Sequence, residues 1–325
     1  MFENIFANRF AVIATFFAVP IAFLADYASV PYAYGIAALF VILFFLLAYW
    51  DEGKKQKLYN EPNIPIPVVF NISNPADARS ALGSLFETLE KDFPGHEENL
   101  KKYFNITADD LIFKYDGDIF DEARFTDFLK ITKHEIKKLE ARTPKNVHFH
   151  IVYIGPIANA ILIGTMLGTE GVTLYQYNKS SDSYTISLVV DSRAYKEHVA
   201  EFQIIRKTEI GDVADSPNVT VAIDLASHKV ALDKLEKPII HLESTVGATI
   251  HKPEDFIRAN QEIYSVINTL QQRAPHITLA YSMPTTIGIL LGMSIQNYWD
   301  IALTQYSDGE YKTVVSHLNK IKYYF

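Results

Sequence analysis

His148-Phe-His-Ile-Val-Tyr-Ile-Gly-Pro156, running into Ile157-Ala-Asn-Ala-Ile-Leu-Ile-Gly164, returns 128 residues later as His276-Ile-Thr-Leu-Ala-Tyr-Ser-Met-Pro284 followed by Thr285-Thr-Ile-Gly-Ile-Leu-Leu-Gly292. His, Tyr, Pro and Gly all match at one offset. Each copy reads as a strand, a Pro-led turn and an apolar helix. Each then reaches another strand, Val172-Thr-Leu-Tyr-Gln-Tyr177 or Ile301-Ala-Leu-Thr-Gln-Tyr306, and a turn after which Tyr184 or Tyr311 leads an alternating segment. A duplicated strand-helix-strand unit is the core of the chain, and function is expected where the two copies face each other.

Upstream of the first copy, Ile66-Pro-Val-Val-Phe-Asn-Ile72 reads as a buried strand. Asn74-Pro75-Ala-Asp77 then carries helix-start chemistry, and Ala78, Leu82, Leu85, Phe86, Leu89 and Phe93 fall on one helical face. Upstream of the second copy, Pro238-Ile-Ile-His-Leu-Glu-Ser244 and a helix from Pro253, with Phe256, Ile263, Val266, Ile267 and Leu270 on one side, make a comparable start. Matching Pro67 to Pro238 gives an offset of 171, so the first half is expected to hold about 43 extra residues, at about 94 to 144. That stretch reads as a hairpin at Leu111–Phe120 turning on Asp116-Gly117, then a helix from Asp121 to about Arg142. Glu201-Phe-Gln-Ile-Ile-Arg206 and Val219–Leu225 read as further strands between the halves. The expectation is an α/β fold of two Rossmann-like units with parallel sheets, residues 66–225 and 226–325.

Residues 1–50 hold only Glu3, Arg9 and Asp26 as charges, with apolar runs from Phe10 to Ala25 and Val30 to Trp50. The second run is about 30 Å long at 1.5 Å per residue, enough to cross a bilayer. Residues 1–52 are read as a transmembrane helical hairpin and 53–65 as a polar, Pro-dotted linker. The competing reading is a cleaved signal peptide ending near Ala25-Asp-Tyr-Ala28, which has a poorly basic start and is followed at once by a second span. Arg9 on one side and Lys54, Lys55 and Lys57 on the other place both ends in the cytosol.

The net charge of −8 argues against a grip on long nucleic acid, which needs a basic face. With no Cys, disulfides and thiol catalysis are excluded. The sequons at Asn71, Asn105 and Asn218 are chance matches on a cytosolic domain. Gly164-x-x-x-Gly168 and Gly288-x-x-x-Gly292 have the wrong spacing for a dinucleotide fingerprint. His148 with His150 has no third ligand and His134-Glu135 lacks the second His of a zinc protease motif; Asp116 and Asp118 could hold a hard cation but read better as a solvated turn, so no metal and no cofactor is expected. No nucleophile-base pair or carboxylate dyad stands out, and the chain is read as a receptor and effector without bond-making chemistry.

Parallel sheets bind ligands beyond their carboxyl strand ends, beside helix N-termini that attract anions. Four corners of that kind are expected: Ser73-Asn74; Gly155 and Pro156 through Asn159; Ser244-Thr245; and Ser282 through Pro284, Thr285 and Thr286. Simple helix capping is the other reading of these residues. Tyr175, Gln176 and Tyr177, with Gln305 and Tyr306 in the second copy, are placed to stack and pair with bases, or else to pack at a sheet edge.

Phe149 to Gly164 together with Val172-Thr-Leu-Tyr-Gln-Tyr-Asn178 resembles the SAVED domain, the cyclic-oligonucleotide sensor of bacterial anti-phage (CBASS) systems, over about residues 60 to 325. That family consists of two fused CARF-like units, and the N-terminal spans resemble the membrane module of its two-transmembrane subtype. The resemblance implies an inner-membrane, multi-pass effector. Its ligand would be a cyclic di- or trinucleotide from a partner nucleotidyltransferase, and its SAVED domains would self-associate on binding until the hairpins breach the lipid bilayer. By position it implies phosphate-facing turns at Gly155 to Asn159 and Ser282 to Thr286, with Tyr175, Gln176, Gln305 and Tyr306 near the bases. No strongly basic pocket comes with the match: Arg193, Arg206 and Lys207 lie outside these turns and are unassigned. The competing class is a membrane-tethered nucleotide-sensing regulator or transport accessory protein that forms no pore.

Overall fold

Strand β1 (Ile64–Ile72) is buried at all 9 positions although it carries Pro65 and Pro67. The prolines are tolerated because β2 (Ile112–Tyr115) reaches only Val69 to Ile72, leaving the start of β1 with one strand neighbour, β3 (Val147–Ile154). A residue without an N–H is cheap on a side where no ladder bond is due. The computed structural model describes residues 63–143, 147–168, 171–178, 182–214, 216–247, 250, 252–274, 276–322 and 324, and the helical residues 35, 39, 42–43, 45–50 and 52–53. Met1–Pro62 and Asn63–Phe325 are separate units.

Most of both spans expected between Phe10 and Trp50 lies outside the described residues. Those described are helical, and Leu39, Ile42, Leu43, Phe45, Leu46, Leu47, Tyr49 and Trp50 are exposed. Among the described residues no helix is long and apolar enough to cross a membrane.

The unit from Asn63 holds two mostly parallel sheets. The first has the order β2-β1-β3-β4-β5, with β4 (Val172–Asn178) parallel to β3 and β5 (Ser183–Val190) antiparallel at the edge. The second contains β6 (Ile205–Ile210), β7 (Asn218–Asp224), β8 (Ile239–Ser244), β9 (His276–Ser282), β10 (Ile301–Ser307) and β11 (Glu310–Val315), in the order β11-β10-β9-β7-β8-β6. Its β7, β8, β9 and β10 run parallel, while β6 and β11 are antiparallel edges. One hydrophobic core runs through both halves.

Register shows which strands are equivalent. Asn71 lies opposite Ile154 as Asp224 lies opposite Ser282, and Lys114 lies opposite Asn71 as Glu243 lies opposite Asp224. The counterpart of β1 is therefore β7, and that of β8 is β2. This corrects the match of Pro67 with Pro238, which arose because β1 and β8 both open with Pro before an apolar run. The extra length of the first half lies between β1 and β2, in residues 73–111, which hold α1 (Ala78–Leu89) and α2 (His96–Phe104). The second half covers the same gap with residues 225–238. Helix α3 (Glu122–Arg142), inside the stretch expected to be extra, is instead the counterpart of α5 (Pro253–Gln271). Strands β6 and β7, numbered with the first half in the sequence reading, both belong to the second sheet, one on each side of β8.

The hairpin expected at Leu111–Phe120 is not formed. Residues 112–115 pair parallel with β1, and the Tyr115 hydroxyl donates to the Asp118 carbonyl at 2.9 Å to close the turn. Burial of Phe113 and Tyr115 on the core side outweighs the turn signal of Asp116-Gly117. Helix α1 buries Ala78, Leu82, Leu85, Phe86 and Leu89 as its spacing predicts, and Asp77 caps it by accepting from the Arg79 amide. Asn74 accepts from the Ala76 amide at 2.9 Å in the preceding turn.

Helices α4 (Ile157–Leu167) and α6 (Thr285–Ser294), apolar nearly all round, are buried where the halves meet. A Cβ on Gly164 would stand 2.0 Å from the Ile289 carbonyl oxygen, and one on Gly292 would stand 1.9 Å from that of Ile161. These contacts are reciprocal at the 128-residue offset, which is the signature of a pseudo-twofold axis. Gly288 faces Ala160 and Ile157. Equivalent turns of the two helices lie level, so the helices run parallel and their N-termini sit side by side. Three of the glycines rejected as a dinucleotide motif, Gly164, Gly288 and Gly292, line the seam of the fold.

Candidate functional site

Strand β3 delivers the chain to Gly155, whose φ is 153° and whose Cβ position would lie 2.9 Å from the Ile72 Cβ, the Ile72 carbonyl oxygen and the Tyr153 hydroxyl. Only glycine fits there without displacement. Pro156 then caps α4 and Pro284 caps α6, and neither cap contributes a side-chain hydrogen bond. The first amides of each helix have no intrahelical acceptor, and two aligned sets of peptide dipoles present partial positive charge at the same end.

Next to this paired terminus a cleft of about 660 Å³ opens at the carboxyl ends of β3 and β4. Its floor is Tyr153, Ile154 and Gly155, and one wall is Tyr175, Gln176, Tyr177, Asp182 and Tyr184. The opposite wall is Asn74, Ala76 and the Asp77, Ser80, Ala81 and Ser84 face of α1, and Thr285 closes the side toward the second half. Among the described residues no Lys or Arg lines it. An anion placed there meets amides and hydroxyls, while Asp77 and Asp182 disfavour negative charge near the rim.

Of the residues expected to bind ligand, Asn74, Gly155, Tyr175, Gln176 and Thr285 are brought together in the cleft. Ser73, at φ 47°, instead ties β1 to the turn after β2: its amide donates to the Tyr115 carbonyl at 2.6 Å and its hydroxyl to that of Gly117 at 2.7 Å. Asn159 is fully buried, and neither of its side-chain polar atoms has a hydrogen-bond partner among the described residues. Thr286 is buried with its hydroxyl 2.7 Å from that of Ser187, a link between the halves. Pro284 is buried in its capping position, and the Ser282 carbonyl accepts from the Leu225 amide at 2.7 Å. The Ser244 hydroxyl accepts from the Val246 amide, and Thr245 bonds the Gln203 and Ile204 carbonyls beside β6, at the far edge of the second sheet. Gln305 and Tyr306 stand at the equivalent corner of the second half, outside the cleft. Arg206 of β6 pairs with Glu243 of β8, and Lys207 pairs with Glu209 along β6.

The aromatic wall is duplicated. Tyr177 packs on Tyr184 at 5.5 Å between ring centroids, and Tyr306 packs on Tyr311 at 5.0 Å. Tyr177 is exposed and donates to Asp182. Tyr175 is buried, its hydroxyl 2.8 Å from His150 Nδ1, and burial with the added charge of Asp92 pushes it up to about 12. His150 is pushed down to about 3 by burial, reinforced by His148 and His96. The pair is thus neutral at physiological pH and holds β4 to β3 without charge. Burial likewise raises Tyr153 and its counterpart Tyr281 well above the usual phenol range, with Tyr281 adding to the effect on Tyr153. Tyr153 donates to the Pro156 carbonyl at 2.6 Å and so fixes the turn.

The sequence reading placed Tyr177 with Tyr175 and Gln176, and the cleft brings it in; it missed Asp77, Ser80, Ser84, Tyr153, Asp182 and Tyr184. Ser80 and Ser84, one turn apart on α1, look like an ordinary solvent face, while Tyr153 and Tyr184 stood inside the quoted repeat and were assigned no role.

No protein-family model matches the chain. No curated protein matches it either. Among solved structures it is similar to an Acinetobacter baumannii Cap4 SAVED/CARF-domain containing receptor, with a TM-score of 0.48 and 16% identity over 79% of this chain and 50% of that one. The same receptor with the cyclic trinucleotide 2′3′3′-cAAA gives 0.46 and 16% over 76% and 50%. A Moraxella osloensis Cap4 SAVED/CARF-domain containing receptor gives 0.44 and 14% over 77% and 49%. The chain spans about half the length of these receptors.

Proposed function

We propose that this protein is a sensor of a cyclic di- or trinucleotide, and that the ligand sits in the first-half cleft with its phosphates against the paired N-termini of α4 and α6. The observation that supports this most is the parallel seam of those helices, which sets two uncapped N-termini beside one cleft. A cyclic oligonucleotide presents phosphates around a ring, so it engages both termini at once, and Tyr177 offers an exposed ring for a base.

The test is titration of the protein with a panel of cyclic di- and trinucleotides, comparing wild type with Thr285→Asp. One member of the panel is expected to bind. A carboxylate about 4 Å from a phosphate costs about 4 kcal/mol at an effective dielectric near 20, which lowers affinity roughly a thousandfold. Asp is favourable in the first turn of a helix, so stability is expected to hold. Equal affinity in the two proteins would remove the ligand from this terminus.

The effector role rests on the N-terminal segment. The apolar residues described there are exposed over several sides of a helix with almost no charge around them, which suits lipid. In this reading the protein belongs to an anti-phage system of the CBASS type, is anchored in the bacterial inner membrane with both ends cytosolic, and assembles on ligand binding so that the anchors disrupt the bilayer. It performs no bond-making chemistry. A periplasm-active phosphatase fused after residue 60 is expected to be silent, and high activity there would refute the topology.

A further inference from the structure

At the other end of the second sheet, about 20 Å from the cleft along the seven residues of β9, three side chains from separate segments converge. His276 opens β9, Asp300 precedes β10, and His317 lies between β11 and α7 (Leu318–Lys322). His276 Nδ1 is 3.1 Å from Asp300 Oδ2, and His317 Nδ1 is 2.7 Å from Asp300 Oδ1. One donor atom from each residue lies within 4.8 Å of the other two, and all three residues are half-buried. The imidazole rings meet edge to face with centroids 5.5 Å apart.

Asp300 is held from behind. Its amide donates to Gln271 Oε1 at 3.3 Å, and its carbonyl accepts from Gln271 Nε2 at 3.4 Å and from the Ile277 amide at 3.0 Å. The three donors line a bowl of about 350 Å³ completed by Thr278, Ala302, Thr313 and Ser316, with no Lys or Arg in the lining among the described residues. Burial works to raise the Asp300 carboxyl, but hydrogen bonds from His317 and His276 outweigh it and hold the group ionised below the usual range.

We propose that His276, Asp300 and His317 form a three-ligand site for a divalent transition cation of the zinc class, open to solvent for water in the remaining positions. Two imidazole nitrogens and one carboxylate oxygen are a borderline donor set that suits zinc better than calcium or magnesium, which prefer oxygen alone. Without metal, both Nδ1 atoms donate to the carboxylate. Ligation requires each Nδ1 to carry a lone pair, so the proton of each neutral ring resides on Nε2 in the loaded state. The ion would fasten the starts of β9 and β10 to the segment before α7, a link the first half lacks: at the position matching His276 it has His148, which bonds Thr173 instead.

The full-length protein, stripped with chelator and dialysed, is titrated with Zn²⁺ by calorimetry and with Co²⁺ by visible absorption, and its Tm is recorded with and without Zn²⁺. One ion per chain and a zinc-dependent rise in Tm are expected, since a ligand that binds the folded state alone stabilises it. His317→Gln is the deciding variant, because that side chain is 39% exposed and the amide keeps a hydrogen bond to Asp300. It is expected to match wild-type Tm in chelator and to bind Zn²⁺ roughly a hundredfold more weakly, since even second-shell losses cost 10–100-fold. His276→Gln is expected to do the same, while His148→Gln leaves binding unchanged. No zinc-dependent rise in the wild type, or equal zinc affinity in His317→Gln, would overturn the proposal.

Discussion

The two halves share strand order, helix position and tyrosine pairs, yet they build the shared corner differently, and in the first half it opens a cleft of about 660 Å³. In the first half Gly155 follows β3, while the second has Met283 at that place, buried. Between its first two strands the first half runs through α1, whose Asp77, Ser80 and Ser84 face forms a wall. The second half crosses directly, and its short link is drawn in by Asp224, which accepts from the Val230 amide at 2.7 Å and lies 2.8 Å from His241 Nε2. Asn71, at the same position in the first half, donates to the Ala76 carbonyl at 2.7 Å at the foot of α1. A single duplicated frame thus walls one corner with α1 and carries only a short link at the other, while the second half still contributes Thr285 to the cleft.

The comparison can be broken most directly at the seam. Gly164→Ala puts a methyl group into the Ile289 backbone and is expected to cost about 3 kcal/mol or more by urea unfolding, the upper range for overpacking. Gly288→Ala meets its nearest atoms at 3.3 Å and is expected to cost under about 1 kcal/mol. Equal losses would mean that the halves do not approach through these glycines.

The tyrosine pairs sharpen it. Tyr177→Ala is expected to weaken binding of the active cyclic nucleotide about tenfold to a hundredfold, since a base stacked on an aromatic ring contributes about 1–3 kcal/mol. Tyr306→Ala, on the same scaffold and similarly exposed, is expected to leave affinity within about twofold. A reversed order of effects would place the ligand in the second half.

A smaller difference concerns acid. His150 sits in the first sheet where the second has Thr278, and its folded-state value of about 3 lies below that of a free imidazole. The unfolded chain therefore binds this proton first. The neutral-form stabilisation is present above about pH 6.5 and declines as pH falls from there toward 3, with a slope of at most about 1.4 kcal/mol per pH unit. His150→Thr is expected to flatten the acid limb of a stability–pH curve, and an unchanged limb would show that His150 titrates normally.

The repeat, the buried face of α1 and the helices from Asp121 and Pro253 were legible because apolar periodicity and turn residues are local signals. The equivalence of β1 with β7 was not, because Pro-led apolar runs open both β1 and β8 and only hydrogen-bond register separates them. Of the ligand corners, Gly155 and Thr285 could be read from strand-turn-helix order, but whether a capping-type residue faces a cleft or the core depends on packing across the seam. Asn159 and Thr286 differ from Thr285 in exposure rather than in local pattern. The cluster of His276, Asp300 and His317 escaped because its members meet only through the pairing of β9 with β10 and the return of the chain after β11.

The central claim is that ligand occupies the first-half cleft. It is tested most directly by crosslinking the full-length protein with a photoreactive cyclic nucleotide chosen from the binding panel and mapping the labelled peptides. The account predicts label on the segment holding Tyr177 and Tyr184, lost in Thr285→Asp, with none on the segment holding Tyr306 and Tyr311. Label on the second segment, or label on the first that persists undiminished in Thr285→Asp, would contradict it.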